Sequence, residues 1–411
     1  MTDPTNNSND ILKKPGQRNW LRNAAMAATG ALVLLLFLTG CTKEQWNHLG
    51  GHLPGGGLGG AQDPNVSAAL PLLPVKVTNT VGEWLVYDLH LHTPRGSTLQ
   101  KIDVMQGDKL LLTYTDFSVK KDSFYLAHIW LPYPGNGWDP GVLTNRFQLS
   151  QSGRTSVSTF QLKIDRQYPD QKRVGFPVPS GTWFAEDAPA PSSLHTRALF
   201  LFPQPVFDPA QNGYLLGNNP QRYAIDFTKI VDGLPYKNKG DKNEDWYNYN
   251  LPVMAAEEGT VVFTADGFAN NGTPGKVDYP IDFTNITGNV VYIEHSDGTL
   301  AMYAHMIPNS IRVKVGQKVM AGQELGRLGN SGNSIAPHLH FHVVANPGRK
   351  KLVNYADGLF LEGVPYAFPA FRKLGTAPDN FLIRQPVATF TPTTSEPFTN
   401  VIPQKSAVIE F

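Results

Sequence analysis

Three histidines at alternate positions, His338, His340 and His342, end the run GRLGNSGNSIAPHLHFHVV between Gly326 and Val344. Alternate side chains of a β-strand share a face, so three imidazoles converge on one side of one strand. The loop before them, Gly329-Asn330-Ser331-Gly332-Asn333-Ser334, closes at Pro337, which fixes the approach to the strand. Neutral imidazole is the commonest side-chain ligand of a catalytic metal and a good general base near neutral pH. The chemistry that this cluster implies is a metal site or acid–base catalysis. A second His-x-His pair, His90 and His92 in YDLHLHT, has only a strand around it and reads as structural.

The elements that must position the cluster are strands. In VVYIEHSDGTLAMYAHM, Val290 to Glu294 and Thr299 to His305 flank Ser296-Asp297-Gly298, and Asp-Gly between apolar runs is a strong hairpin signal. The following SIRVKVGQKVMAGQELGRLG reads as short strands broken at Gly316 and Gly322.

These segments, in this order, resemble the lysostaphin/LytM family of zinc endopeptidases over about residues 221–344. The matching runs are YAIDF, PVMAAEEGTVVFTADG, VVYIEHSDGTLAMYAHM, VKVGQKVMAGQELGRLGNSG and SIAPHLHFHV. The resemblance implies a zinc ion held by the His and Asp of a His-x-x-x-Asp motif and by the second His of His-x-His. Carried over by motif, Asp226 and His340 are zinc ligands, and His305 and His338 are the catalytic histidines. A zinc ion at an open three-ligand site lowers the pKa of water to about 7, and neighbouring imidazoles can move its proton to a leaving amine. Asn330 and Ser334 are further candidate donors in the implied groove.

The sequence departs from the family pattern at the first ligand, where the residue four before Asp226 is Arg222. The nearby Asn218 and Asn219 offer only amide oxygens, which are poor zinc ligands. In a strand Arg222 and Asp226 face the same way, so the arginine is a candidate partner for Asp226 in place of the metal. Two histidines are candidates for the missing ligand: His342, on the same strand face as His340, and His195, brought in from the preceding domain.

Composition bounds the remainder. The 411 residues suffice for two domains with real cores, and a net charge of +1 supplies no basic field for nucleic acid. Frequent Gly and Pro with few helical periodicities indicate an all-β chain. The expected architecture is a β-sandwich-like accessory domain at 74–205, then a LytM-type antiparallel β-sheet peptidase domain, like a duplicated hybrid motif, at 206–375. An extended C-terminal tail is expected at 376–411, with Leu382 to Phe390 and Ser406 to Phe411 apolar enough for single strands. Among the aromatics Trp130, Tyr133 and Trp138, core packing or a domain contact is the expected role, with a glycan face as the alternative. Tyr247, Tyr249 and Tyr279 lie on loops that would rim the groove.

The single cysteine, Cys41, follows Leu38-Thr39-Gly40, an uncharged apolar stretch from Ala24, and the basic residues Lys13, Lys14, Arg18 and Arg22. This order reads as a secretory signal over residues 1–41. Its Leu-Thr-Gly-Cys ending resembles a bacterial lipoprotein signal, implying lipidation at Cys41 and a location in the cell envelope, periplasmic or on the outer face. An uncleaved N-terminal membrane anchor is the alternative. Residues 42–73 are Gly-rich and read as a flexible tether in which His48 and His52 are incidental.

Two readings of function follow. One is a zinc endopeptidase acting on the peptides of peptidoglycan. The other, favoured by Arg222, is a catalytically degenerate LytM-like module that binds cell wall or activates another wall hydrolase. A general protein substrate is a third reading, separable by activity on casein.

Overall fold

Residues 66–121, 123–135, 137–164, 171–378 and 390–411 are described by a computed structural model, in which almost all regular structure is strand. The signal-like segment, Cys41, His48 and His52 lie outside the described residues.

The N-terminal domain is a sandwich of two antiparallel sheets. One contains Gly82–His92, flanked by Ser67–Ala69, Val75–Asn79 and Phe124–Pro132, with Ser118–Lys121 beyond. The other has the order Lys109–Tyr114, Thr98–Gln106, Val142–Gln151, Arg154–Lys163. The two-residue period explains why the strand Gly82–His92 is buried on both faces. Its odd positions, Leu85, Tyr87, Leu89 and Leu91, pack with Ile102, Phe147 and Phe160 of the facing sheet. Its even positions face the C-terminal half instead: Val86 joins that domain's core, and His90 accepts a hydrogen bond from the Leu216 amide through Nδ1 at 3.0 Å. His90 is therefore structural, as its context suggests, and His92 stacks among Phe124 and Tyr214.

The C-terminal domain is built on one 12-stranded sheet. Its middle runs Ala407–Glu410, Thr182–Glu186, Ile225–Lys229, Leu339–Ala345, Thr299–Met306, Asn289–Glu294, Gly259–Ala265, each pair antiparallel. The expected hairpin is present, with Gly298 at φ 85 in its turn. Tyr303, Phe341 and Val343 are fully buried beneath this sheet, and burying such side chains contributes about 1.5–3 kcal/mol each.

Sheet membership differs from the expected domain limits in two places. The strands Lys172–Arg173 and Thr182–Glu186 lie in the large sheet, so the change of domain falls after residue 164 rather than at 205. The C-terminal segment is not an extended tail. Ala407, Val408 and Ile409 are fully buried, and their strand lies between Tyr366–Thr376 and Thr182–Glu186. The short run AVIE carries no record of its partners, which lie more than thirty residues away in the chain at Thr376 and far upstream at Thr182. Of the two apolar runs, Leu382 to Phe390 lies outside the described residues except for Phe390.

Candidate metal and acid–base site

Cross-strand register assembles the site. Asp226 pairs directly with His340, and His340 with Ala304 on its other side, so residues from three adjacent strands share one face. His305 lies one residue beyond Ala304 and is turned toward the cluster by a positive φ of 67. A side chain with a Cβ pays of order 1 kcal/mol for that conformation, and such strain concentrates where a side chain must be aimed. The turn is held from behind. The His305 amide donates to Thr287 O at 3.1 Å, and Asn289 Nδ2 and the Ser331 hydroxyl both donate to Met306 O at 2.8 Å.

His338 enters at the end of the glycine-rich loop. That loop needs Gly332, whose φ is 77 and where a Cβ would fall 2.3 Å from the Gly288 nitrogen. Asn330 and Ser334 are buried in the loop and occupied with its own bonds. Asn330 Nδ2 donates to Asn243 Oδ1 at 2.9 Å, and the Ser334 hydroxyl donates to Asn330 Oδ1 at 2.6 Å. They support the loop and are not free groove donors. Tyr249 and Tyr279 likewise bridge loops, through Asn270 Nδ2 at 3.0 Å and the Gly332 amide at 2.6 Å.

Hydrogen bonds select the tautomers. His305 Nδ1 lies 2.7 Å from Ser331 O, His338 Nδ1 2.8 Å from Ala336 O, and His195 Nδ1 3.1 Å from Asp187 O. A carbonyl accepts only, so Nδ1 carries a hydrogen in all three, and in the neutral ring Nε2 is the nitrogen with the lone pair. Those of His195 and His338 each lie 3.5 Å from Asp226 Oδ2. His340 is reversed: Nδ1 is 2.9 Å from Asp226 Oδ1 and Nε2 is 2.9 Å from His342 Nδ1. His342 thus sits on the far side of the His340 ring from Asp226. It contacts the ring nitrogen of His340 that faces away from the carboxylate, and so orients that ring.

The structure also corrects the expected role of Arg222. The arginine does not pair with Asp226. It turns away, 3% exposed, with Nη1 2.5 Å from Asp88 Oδ1 and Nε 3.0 Å from Glu362 Oε1. The residue that approaches Asp226 is His195, from the loop between Thr182–Glu186 and Phe200–Asp208. His195, Asp226 and His340 each offer one ligand atom, all within 4.8 Å of one another. Two imidazole nitrogens and a carboxylate are a donor set that suits zinc. Sequence alone offered His195 beside His342; its only signal was being the sole histidine between His128 and His295. Asp88 and Glu362 carried no signal.

Electrostatics agree with a cation-binding role. Burial pushes the Asp226 carboxyl up, but the imidazoles of His195, His338 and His340 outweigh it and hold the group below the usual carboxylate range. Burial lowers His340, and burial together with His338 and His340 holds His305 well below the ordinary imidazole value.

Comparison with known proteins gives the arrangement a family. Residues 246–353 match the model described as Peptidase family M23, a range that includes His305, His338 and His340 but not Asp226. Peptidoglycan DD-endopeptidase ShyC of Vibrio cholerae is 38% identical over 136 residues, 33% of this chain and 29% of its own length. Outer membrane antigenic lipoprotein B of Histophilus somni is 32% identical over 115 residues, 28% of this chain and 29% of its own. Murein hydrolase activator NlpD of Salmonella dublin is 30% identical over 118 residues, 28% of this chain and 26% of its own. The chain thus spans less than a third of the length of these curated relatives. The lysostaphin/LytM resemblance and the family match overlap over residues 246–344, and residues 246–353 of this chain are a domain of peptidase family M23.

Proposed function

We propose that the chain is a zinc-dependent endopeptidase of the bacterial cell envelope that hydrolyses peptide bonds in peptidoglycan. The observation that carries this reading is the approach of His195 Nε2 to Asp226, which supplies the imidazole that Arg222 does not. His195, Asp226 and His340 would hold the metal. When bound, zinc supplies Lewis-acid activation of water and of the scissile carbonyl. His338 Nε2 lies 3.5 Å from the Asp226 carboxylate, and the His305 ring lies against those of His338 and His340. In that tautomer each accepts a proton from the attacking water. Once protonated, the same atom donates to the tetrahedral oxyanion or to the departing amine. His342 holds the His340 ring in place through Nδ1. The peptidoglycan substrate is supported by the endopeptidase relative, and lipid anchoring at Cys41 by the Leu-Thr-Gly-Cys sequence and the lipoprotein relative.

A second reading has its own support. Arg222 stands where the family pattern has a ligand, and one relative is an activator of murein hydrolases. On that reading the domain carries no zinc and acts by binding cell wall or another hydrolase. Zinc content of the full chain in detergent, measured beside His340→Ala and His195→Ala, separates the two. The endopeptidase reading expects near-stoichiometric zinc, lost in both variants, and peptide release from purified peptidoglycan rather than casein. Absence of zinc after reconstitution at neutral pH would overturn it in favour of the activator.

A further inference from the structure

The loop that carries His195 has no strand ladder to fix it, since residues 187–199 are turns and bends between two strands. A metal ligand on such a loop must be held by side chains. Its outer part is tied by Arg197 to Asp116 and by Lys405 to Ser192 O, and the bonds to the backbone of His195 and Thr196 themselves come from Asn219, which is fully buried. Asn219 Nδ2 donates to His195 O at 3.0 Å and to Thr196 O at 2.7 Å. Its own amide donates to Glu362 Oε2 at 3.0 Å. The other oxygen of Glu362 accepts from Arg222 Nε at 3.0 Å and from Arg222 Nη2. Thr196 closes the ring: its hydroxyl donates to Arg222 O at 3.1 Å. Asp88, from the sandwich domain, is the second carboxylate on the guanidinium, and His128 Nδ1 lies 2.9 Å from it.

We propose that Arg222, acting through Glu362 and Asn219 and balanced by Asp88, is the positioning residue for His195. The side chain at the position of the lost ligand braces the loop that brings its substitute. This inference rests on the reading of His195 as a zinc ligand. A bidentate guanidinium has the geometry for this, because its planar fork fixes two carboxylates at once where an ammonium would fix neither direction. It also makes the sandwich domain part of the support of the metal site, through Asp88.

The test is zinc affinity of the full chain in detergent, by competition with a chromophoric chelator, together with the ligand-field spectrum of the cobalt-substituted protein. Arg222→Lys keeps the charge and loses the fork. Asn219→Ala removes the two bonds to the loop. Thr196→Val removes one bond without stranding a buried charge, and Thr196→Ser restores the hydroxyl. Thermal melts establish which variants fold, and Thr196→Val decides the matter where the others do not. Zinc affinity is expected to fall about 10–100-fold in Arg222→Lys, Asn219→Ala and Thr196→Val, with altered cobalt spectra and recovery in Thr196→Ser. Wild-type affinity and spectrum in the folded variants, with zinc lost in His195→Ala, would overturn the positioning role and leave the ligand reading standing. Wild-type zinc binding in His195→Ala would overturn both.

Discussion

At the scale of single residues, the site divides by what each ring nitrogen touches. His305 and His338 spend Nδ1 on backbone carbonyls, so their only free function is at Nε2. Removing either leaves the His195, Asp226 and His340 set intact. His305→Ala and His338→Ala are therefore expected to retain zinc and to lower kcat by about 10²–10⁴-fold, the usual worth of a positioned acid–base group. Metal analysis beside initial rates on purified peptidoglycan checks this, and loss of zinc in either variant would move that histidine among the ligands. His340→Ala is expected to lose the metal outright. Because zinc bound only by the folded state stabilises it, chelation is expected to lower the melting temperature of the wild-type protein and leave that of His340→Ala unchanged.

At the scale of elements, the hairpin Asn289–Glu294 and Thr299–Met306 supplies both the strand beside His340 and the aimed His305. Its turn contains another histidine with a different role. His295 is buried, its Nδ1 lies 3.0 Å from Thr299 Oγ1, and its Nε2 has no hydrogen-bond partner among the described residues. Burial, with Lys172 nearby, pushes its pKa down to about 4. The unfolded chain, with an ordinary value near 6.5, takes up this proton first as pH falls. Stability from this group is therefore complete above pH ~6.5 and is lost as pH drops toward 4, by at most about 3 kcal/mol. Urea midpoints at pH 7 and pH 5 are expected to differ less in His295→Gln than in the wild type. An identical pH dependence in the two proteins would show that other groups carry the effect.

At the scale of the whole molecule, the two halves share a core. Val77, Val86 and Trp130 of the sandwich lie in one apolar cluster with Trp183, Phe227 and Phe341 of the large sheet. Trp130 is 4% exposed and meets Trp84 edge to face, so this residue is a packing residue. Trp130→Ala is expected to destabilise the protein by about 3–5 kcal/mol, as emptying a buried aromatic site does. Because that core is shared, near-ultraviolet and far-ultraviolet signals should report one unfolding transition in the wild type. Two separated transitions would mean that the halves are energetically independent.

The sequence by itself determined the all-β architecture and the hairpin, because two-residue periodicity and turn residues are local properties; the meeting of His305, His338 and His340 with Asp226 was implied only by the family resemblance. It left open which histidine completes the set and what Arg222 does. Only the tertiary structure decided that His342 lies behind His340, that His195 comes in from a loop more than thirty residues before Asp226, and that Arg222 is neutralised by Asp88 and Glu362. It also decided that the last strand, Ala407–Glu410, lies inside the large sheet. The physical reason is common to these cases. A buried charge takes whichever partners the packing of distant segments brings within hydrogen-bond reach, and a strand takes whichever edge is left to pair, and neither choice is written in neighbouring residues.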